Sequence, residues 1–569
     1  MTTAVPLSPV LTGRGVGYGI AMAPSVVLAP APAVPADEPV PTDLDQAEAR
    51  IRSALTAVAA EFAAQATSAS PVMADVLTAT SAIAADSTLA TEAVRHLRAG
   101  AGPATAVARA IEGFATTFTA AGGYLAERVT DLRSVGDRVT ARLLGLPTPG
   151  LGPLTGPTVV VATDLAPADT AALDLDRVVA IVTEQGGPTG HTAIIARQLG
   201  LPCVVGVRGI TAVPSGTLVL VDAGKGTVTT EPTTVQVAAL ARRTSADALL
   251  AKDTAPGATA DGHPIALLAN VGTPADAARA AATAVQGVGL FRTEVLFLDR
   301  HDAPSADEQV TAYRQVIDAM DGRKTVIRTL DAGADKPLAF VTQPAEENPA
   351  LGVRGNRLLR IAPDVVTTQI DALGAVVSTL SDDRRSDVWV MAPMIATPAE
   401  AKEFATMARA RGVATVGVMV EIPAAALRAR DILAEVDFVS LGTNDLAQYT
   451  MATDRLRAEL ADLLDPWQPA VLELIAATAR AGRDLGKPVG VCGESAADPL
   501  MALVLAGLGV TSLSMAPAAV PGVRYALRQH TLEQCRAMAR AALDAPDPAT
   551  AQHAVLDLAD ASVHATFDQ

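Results

Sequence analysis

The stretch Phe438-Val439-Ser440-Leu441-Gly442-Thr443-Asn444-Asp445 passes within eight residues from a short apolar run to polar side chains that can bind ligands. A short apolar run bounded by turn signals is consistent with a buried strand of a parallel sheet. Seven similar runs occur between residues 261 and 569, and helical stretches separate them: 265–270, 288–292, 325–328, 388–391, 416–421, 488–494 and 512–515. Eight such units predict a closed (β/α)8 TIM barrel with its functional groups at the carboxyl ends of the strands.

Charged and polar residues end or follow most of these runs, and their types indicate a chemistry. Arginine forks bind phosphate and carboxylate oxygens in pairs, so Arg292, Arg328 and Arg354 suit a small, multiply charged anion. Glu421 and Asp445 supply carboxylate oxygens, which together with substrate oxygens and water are the usual ligands of Mg²⁺. The alternative is that these residues form structural salt bridges with one another.

A thiol, Cys492, and an amide, Asn444, fall at the same predicted rim. A thiol at the end of an apolar strand is usually a small buried hydrophobic side chain. Beside an anion-binding rim it could instead act as a general acid.

A second informative stretch is Gly186-Gly187-Pro188-Thr189-Gly190-His191-Thr192-Ala193, which follows a β-branched run at residues 177–182. The Gly/Pro cluster ends that strand, and helical spacing resumes after the histidine. His191 is therefore expected in the first turn of a helix, where backbone N–H groups favour a neutral imidazole and stabilise a phosphoryl group placed on it. The alternative is a capping or surface histidine.

The remaining sequence predicts several further regions. Residues 11–30 suit a strand and turns, residues 43–144 show apolar residues at helical spacing, and strands return at residues 152–230. The helical block therefore resembles an insertion into an α/β domain, and residues 231–260 resemble a charged helical linker.

Composition limits the function classes. The 569 residues are 50% hydrophobic and carry a formal charge of −17. This acidity argues against general nucleic-acid binding and is compatible with a basic protein partner. No apolar run is long enough to span a bilayer, and the three cysteines form no disulfide framework or zinc pattern, so we expect a soluble cytoplasmic protein without membrane insertion.

Together the motifs resemble the Enzyme I family of the bacterial phosphoenolpyruvate-dependent sugar phosphotransferase system across essentially the whole chain. The stretch around His191 resembles the phosphohistidine signature of that family. The barrel signatures are matched by residues 289–294, 328–336, 419–423, 441–449 and 492–494. Two departures stand out: Gly190 replaces a serine common in the family, and Leu456-Arg457 replaces an expected Gly-Asn pair.

The resemblance implies a phosphoenolpyruvate-protein phosphotransferase. It implies that phosphoenolpyruvate is held on the barrel rim by Arg292, Arg328, Asn444, Asp445 and Arg455, with Arg354 and Lys336 as weaker candidates. It further implies Mg²⁺ held by Glu421 and Asp445, transfer of the phosphoryl group to His191, and protonation of the departing enolate by Cys492 to give pyruvate. The histidine would then pass the group to the phosphocarrier protein HPr.

The implied fold is multidomain α/β. A swivelling phosphohistidine α/β domain covers residues 1–30 and 146–230, and an inserted helical bundle that binds HPr covers residues 31–145. A helical linker follows at 231–260, and residues 261–569 form the phosphoenolpyruvate-binding barrel, through which a homodimer is expected.

Two other functions could use the same fold. A phosphoenolpyruvate synthase or pyruvate phosphate dikinase needs an ATP-grasp domain before the histidine domain, and the residues before His191 look helical and lack a glycine-rich nucleotide loop. A regulatory module without turnover would have lost a reacting group, yet His191, Glu421, Asp445 and Cys492 are all present.

Overall fold

The computed structural model describes residues 10–563, except for 17–18, 29–31, 36, 68–70, 122–127, 147–148, 151–153, 166–172, 174–176, 188–191, 194–195, 197–200, 239, 242–249, 298–299, 301, 334–337, 339, 342–345 and 455–456. The chain divides into two compact units, Met1–Leu240 and Ala241–Gln569. The division falls within the linker predicted at residues 231–260, part of which lies outside the described residues.

An eight-stranded sheet forms the centre of the first unit. Its strands, in chain order, are β1 (Val10–Thr12), β2 (Arg14–Val16), β3 (Ile20–Val27), β4 (Thr158–Ala162), β5 (Val178–Thr183), β6 (Cys203–Val205), β7 (Leu218–Asp222) and β8 (Thr227–Thr230). They are arranged in the order β1-β8-β7-β3-β4-β5-β6-β2. Because β4 is buried along its whole length, apolar side chains cover both faces of the sheet centre.

Five described helices lie in the chain between β3 and β4: α1 (Leu44–Ala66), α2 (Pro71–Ala85), α3 (Ser87–Arg98), α4 (Pro103–Ala121) and α5 (Val129–Leu144). In the fold β3 and β4 are parallel neighbours, with Ser25 opposite Val159. The helices are therefore inserted into the α/β unit, as the sequence predicts. The side chain of Asp43 caps α1 by accepting a hydrogen bond from Gln46 N at 2.9 Å.

The second unit is a closed barrel of eight parallel strands. They are β9 (Ala266–Val271), β10 (Gly287–Arg292), β11 (Lys324–Arg328), β12 (Val388–Ala392), β13 (Thr415–Val420), β14 (Phe438–Leu441), β15 (Val489–Val491) and β16 (Ser512–Met515). Each strand pairs with the next, and β16 pairs with β9 to close the barrel. The predicted (β/α)8 fold is confirmed.

Helices surround this barrel, and most of them bury an apolar face. They are α6 (Pro274–Ala281), α7 (Ala306–Met320), α8 (Pro363–Ser378), α9 (Asp382–Arg385), α10 (Pro398–Ala410), α11 (Pro423–Leu427), α12 (Ala429–Glu435), α13 (Thr443–Thr450), α14 (Pro469–Leu485), α15 (Pro499–Leu508), α16 (Val520–Gln529), α17 (Leu532–Leu543) and α18 (Pro548–Leu558). Capping boxes fix the start of α6, α7, α10 and α17, because each pairs a threonine or serine with an acidic or amide residue three positions later. Among the described helices none has the length and apolarity needed to cross a membrane.

Candidate active site

Charged residues converge where the barrel strands end. Arg292 and Arg328 are the last residues of β10 and β11, Glu421 directly follows β13, and Cys492 directly follows β15. Asn444 and Asp445 lie in the first turn of α13, only a few residues after β14 ends. All six therefore lie at the carboxyl end of the barrel, which is the functional face of this fold.

Arg328 is buried at this face and contacts two carboxylates. Its guanidinium donates to Glu294, and its Nη1 lies 3.2 Å from Asp331 Oδ2. Burial opposes the charge on Arg328, but the carboxylates of Glu294 and Asp331 outweigh it and raise the pKa of the guanidinium. Arg328 Nε is buried without a hydrogen-bond partner among the described residues, so this nitrogen can still donate to a ligand.

Arg354 joins the same cluster from the segment after β11. It is 2% exposed, and its Nη2 and Nε donate to Asp331 at 2.9 and 3.2 Å. Its Nη1 donates to Asp445 Oδ1 at 3.2 Å and approaches the hydroxyl of Tyr449 at 3.5 Å. Asp331 thus bridges two arginines, and the structural salt bridges considered as an alternative exist.

Glu421 lies fully buried beside these ion pairs. Its Oε1 accepts a hydrogen bond from Met394 N at 2.6 Å, and Met394 adopts a left-handed backbone conformation with φ of 58°. Burial, followed by the charges of Asp445 and Asp331, raises the pKa of Glu421 well above its usual range, although Arg328 and Arg354 oppose this shift. A strained backbone that supports a buried carboxyl group is typical of a functional site.

The composition of the cluster fits a divalent cation. The described contacts link four carboxyl groups, those of Glu294, Asp331, Glu421 and Asp445, to the guanidinium groups of Arg328 and Arg354. Carboxylate oxygens are the ligands that Mg²⁺ prefers in proteins. Gly442 leaves space beside Glu421. Any other residue at this position would carry a Cβ only 2.9 Å from Glu421 Oε2. Within the described residues no group of three or more His, Cys, Asp or Glu side chains is arranged to hold a metal ion. Glu421 and Asp445 are the two carboxylates that could contribute to one, with substrate and water at the other positions.

Cys492 is a buried thiol inside the barrel mouth. It is 3% exposed, packs among apolar side chains such as Met419 and Phe438, and donates weakly to Leu441 O at 3.5 Å. Burial raises the pKa of the Cys492 thiol, even though Arg328 and Arg292 are close enough to oppose the shift. The sulfur therefore keeps its proton at neutral pH, as a general acid must.

Arg292 and Asn444 complete the described rim. Arg292 is exposed at the end of β10 and makes no ion pair with the residues that the structure describes. Asn444 Oδ1 accepts a hydrogen bond from Glu494 N at 3.1 Å, which ties the start of α13 to the turn that carries Cys492. Both can contact a ligand above the buried cluster.

Three predicted site residues, His191, Arg455 and Lys336, lie outside the described residues, as do Thr189, Gly190, Arg197 and Leu456. Next to this histidine, Thr192 is buried, and its hydroxyl donates to Asp164 Oδ1 at 3.2 Å. The Thr192 side chain therefore bonds to another segment of the first unit.

An open pocket of about 550 Å³ lies beside the glycine turn of the first unit. Arg14 and Arg208 line it together with Glu184 and Gly186. Glu184 is already bonded to Gly209 N at 3.0 Å and to the hydroxyl of Thr211. Both arginines are exposed and have no carboxylate partner within the described ranges, so positive charge faces this turn.

Sequence reasoning missed four residues that shape the barrel site: Glu294, Asp331, Met394 and Tyr449. Asp331 and Glu294 follow the strands that end in Arg328 and Arg292, so acidic residues just beyond the strand-end arginines were an available signal. Met394 offers no such signal, because it contributes its backbone N–H and not its side chain.

Three family models match the chain in order. They describe the N-terminal domain of PEP-utilising enzymes at residues 12–128, the mobile domain at residues 154–226 and the PEP-binding domain at residues 247–532. The fold and site therefore define a protein of the PEP-utilising class.

Curated relatives narrow this class. A phosphoenolpyruvate-protein phosphotransferase of Streptomyces coelicolor is 48% identical over 558 residues, which cover 96% of this chain and 99% of the relative. Proteins of the same name from Haemophilus influenzae and Haloferax volcanii are 38% and 41% identical, cover 75% and 76% of this chain, and are themselves covered to 76% and 78%. The chain belongs to the phosphoenolpyruvate-protein phosphotransferase family.

Proposed function

We propose that this protein transfers the phosphoryl group of phosphoenolpyruvate to His191, releases pyruvate, and passes the group to a histidine of the phosphocarrier protein HPr. This is the first step of sugar uptake by the phosphotransferase system. The observation that carries the proposal is the buried cluster of Arg328, Arg354, Glu421 and Asp445 beside a protonated Cys492 at the barrel mouth. Membership of the family supports the same reaction.

Phosphoenolpyruvate carries a phosphate and a carboxylate, and the rim offers donors for both. Arg292 is exposed, and Arg328 Nε is buried without a partner among the described residues, so each has donating capacity left for an anion. Arg354 shares Asp331 with Arg328, and Asn444 lies in the first turn of α13 at the same end of the barrel. Arg455 and Lys336 would add contacts by the family resemblance. Guanidinium groups fixed by buried carboxylates lose little freedom when substrate binds, which favours orientation.

Glu421 and Asp445 would hold Mg²⁺. Carboxylate oxygens are the ligands that Mg²⁺ prefers. Burial, followed by the charges of Asp445 and Asp331, raises the pKa of Glu421, so a bound cation would favour its ionised form. When bound, the ion would neutralise charge on the phosphoryl group. The backbone N–H of Met394 and the guanidinium of Arg354 keep the two carboxylates in place.

Transfer forms a bond between phosphorus and the imidazole Nε2 of His191 and breaks the bond between phosphorus and the enol oxygen. The departing enolate then takes a proton at its terminal carbon from the Cys492 thiol, which gives pyruvate and a thiolate. Solvent returns the proton to the sulfur. Because burial raises the pKa of Cys492, its thiol is in the correct protonation state to begin this step.

The second transfer uses the first unit. Arg14 and Arg208 place positive charge beside Gly186 in the turn that leads to His191, which favours a phosphorylated imidazole or its anionic partner. We propose that HPr docks on the inserted helices, that a homodimer forms through the barrel and that the protein is cytoplasmic. The family resemblance supports these three points, and the overall charge of −17 suits a basic partner.

A labelling experiment tests the proposal directly. Purified protein is incubated with ³²P-labelled phosphoenolpyruvate and Mg²⁺, and acid-labile protein label and pyruvate are measured together. Wild type should gain label and release pyruvate in equal amounts, and His191→Ala should do neither. If wild type gains no label, or if His191→Ala gains as much as wild type, the proposed reaction is wrong.

A further inference from the structure

Gln369 lies behind the rim, on helix α8, and bonds to the backbone that carries the rim arginines. Its side chain is 0% exposed. The amide Oε1 accepts a hydrogen bond from Leu330 N at 2.8 Å, and Leu330 stands between Arg328 and Asp331 in the sequence. One side chain outside the barrel thus holds the segment from which two members of the buried cluster project.

The other end of the same amide reaches the neighbouring strand. Gln369 Nε2 donates to Thr293 Oγ1 at 3.1 Å, and the Thr293 hydroxyl donates to the backbone oxygen of Arg328 at 2.8 Å. Thr293 directly follows Arg292. The ends of β10 and β11 are therefore joined to each other and to α8 through Gln369.

The hydrogen-bond network of Gln369 continues away from the rim without a break as far as Pro304. Gln369 Nε2 also donates to the hydroxyl of Tyr313 at 2.9 Å, which donates to Gln309 Oε1 at 2.9 Å. Gln309 Nε2 donates to Pro304 O at 3.0 Å. Burial raises the pKa of Tyr313, so its hydroxyl stays neutral and remains a donor. Buried networks with every member satisfied rigidify their surroundings.

We propose that Gln369 is a positioning residue, which fixes the spacing of Arg292, Arg328 and Asp331 and so tunes the affinity of the rim for phosphoenolpyruvate. It touches neither substrate nor reacting atoms. The inference rests on the function proposed above. Because an error of about 1 Å in the placement of binding groups can cost on the order of 100-fold in rate, loss of this amide should be visible in steady-state kinetics.

Gln369→Met tests the inference, and Gln309→Met is its matched control. Both substitutions replace a buried glutamine of the same network by an apolar side chain of similar length, so both should lower thermal stability. Only Gln369 bonds to the rim backbone, since the described contacts of Gln309 are Tyr313 and Pro304.

We expect Gln369→Met to raise KM for phosphoenolpyruvate about 10-fold to 100-fold, with a smaller change in kcat, and Gln309→Met to leave KM within about twofold of wild type. Phosphoryl exchange between HPr and His191 does not use the rim, so it should be unchanged in both variants. If Gln369→Met fails to fold, Thr293→Val takes its place. It removes only the hydroxyl that bonds to Arg328 O, so it should raise KM for phosphoenolpyruvate by a smaller factor.

Equal KM values in the two glutamine variants, or a wild-type KM in Thr293→Val where Gln369→Met does not fold, would overturn the positioning role. These KM outcomes can be told apart from failure of the proposed function. If the proposed function is wrong, wild type itself takes no label from phosphoenolpyruvate.

Discussion

Arg354→Met should destabilise the barrel unit strongly, because it removes one partner from a buried ionic cluster. Arg354 is 2% exposed and contacts Asp331 at 2.9 Å and Asp445 at 3.2 Å. Methionine keeps much of the aliphatic stem but none of the charge. Asp331 and Asp445 would then both lose the guanidinium of Arg354, and Asp331 would keep its ion pair with Arg328.

The expected magnitude follows from burial. Removing one partner of a buried ion pair typically costs about 3–5 kcal/mol, since the other charge stays desolvated and unpaired. The unfolding entropy is about 2.1 cal/mol/K per residue, so for a unit as long as Ala241–Gln569 a loss of 1 kcal/mol lowers the midpoint of thermal unfolding by about 1.5 °C. The midpoint of the barrel transition should therefore fall by roughly 4–7 °C at neutral pH.

Differential scanning calorimetry measures this shift, with Arg360→Met as the matched control. Arg360 lies in the same segment after β11 as Arg354. It is exposed, and its Nη2 lies 3.5 Å from Glu400 Oε1. A surface pair of this kind contributes about 0–1 kcal/mol. Lower pH and added Mg²⁺ should both reduce the difference in unfolding midpoint between wild type and Arg354→Met, because protons and cations replace the missing positive charge.

Two outcomes would refute this reasoning. One is a midpoint for Arg354→Met as close to wild type as that of Arg360→Met, which would mean that the buried contacts of Arg354 contribute no more than surface pairs. The other is a deficit that grows as the pH falls, since that would exclude unpaired carboxylates as its cause.

Three further predictions concern single side chains. Cys492→Ala should slow pyruvate formation from phosphoenolpyruvate by at least about 100-fold but slow phosphoryl return from HPr to His191 far less; equal slowing in both assays would exclude the proton-donor role. Gly442→Ala would place a Cβ 2.9 Å from Glu421 Oε2, so it should raise the Mg²⁺ concentration needed for half-maximal labelling, and an unchanged requirement would separate this glycine from the metal site. Burial lowers the pKa of Lys324 from 10.5 to about 8, so the unfolded chain binds this proton more tightly than the folded chain. In urea titrations, the stability of wild type relative to Lys324→Met should therefore rise as the pH increases from 8 to 10.5. A stability difference that does not change with pH would contradict the lowered pKa.

The barrel was predictable because parallel strands buried on both faces are continuous apolar runs, as in β13 and β14. The inserted helices were predictable for a related reason, since Ile51, Leu55, Val58 and Phe62 recur at helical spacing and are all buried along α1. One boundary moved. The run that begins at Phe438 stops being a strand at Leu441, and Asn444 and Asp445 belong to helix α13.

The pairing inside the site could not be predicted in the same way. Arg354 and Asp445 are 91 residues apart in the sequence and meet because the barrel closes. Arg354 and Asp331 are 23 residues apart and meet because the intervening chain returns to the rim. Residue types thus predict that arginines and carboxylates gather at one face, whereas only the folded chain decides which of them neutralise each other.

The contacts of Asp331 determine how much positive charge the rim offers to an anion. Asp331 lies between Arg328 and Arg354, so part of the positive charge that an anion needs is already compensated before substrate arrives. Two arginines without such a carboxylate would repel each other in a buried site, and their forks would be free to turn away. Burial, followed by the charges of Asp445 and Asp331, raises the pKa of Glu421, and a divalent cation would favour its ionised form. Anion binding and cation binding at this rim are therefore expected to strengthen each other: phosphoenolpyruvate should bind more tightly with Mg²⁺ present, and Mg²⁺ more tightly with phosphoenolpyruvate present, by the same factor.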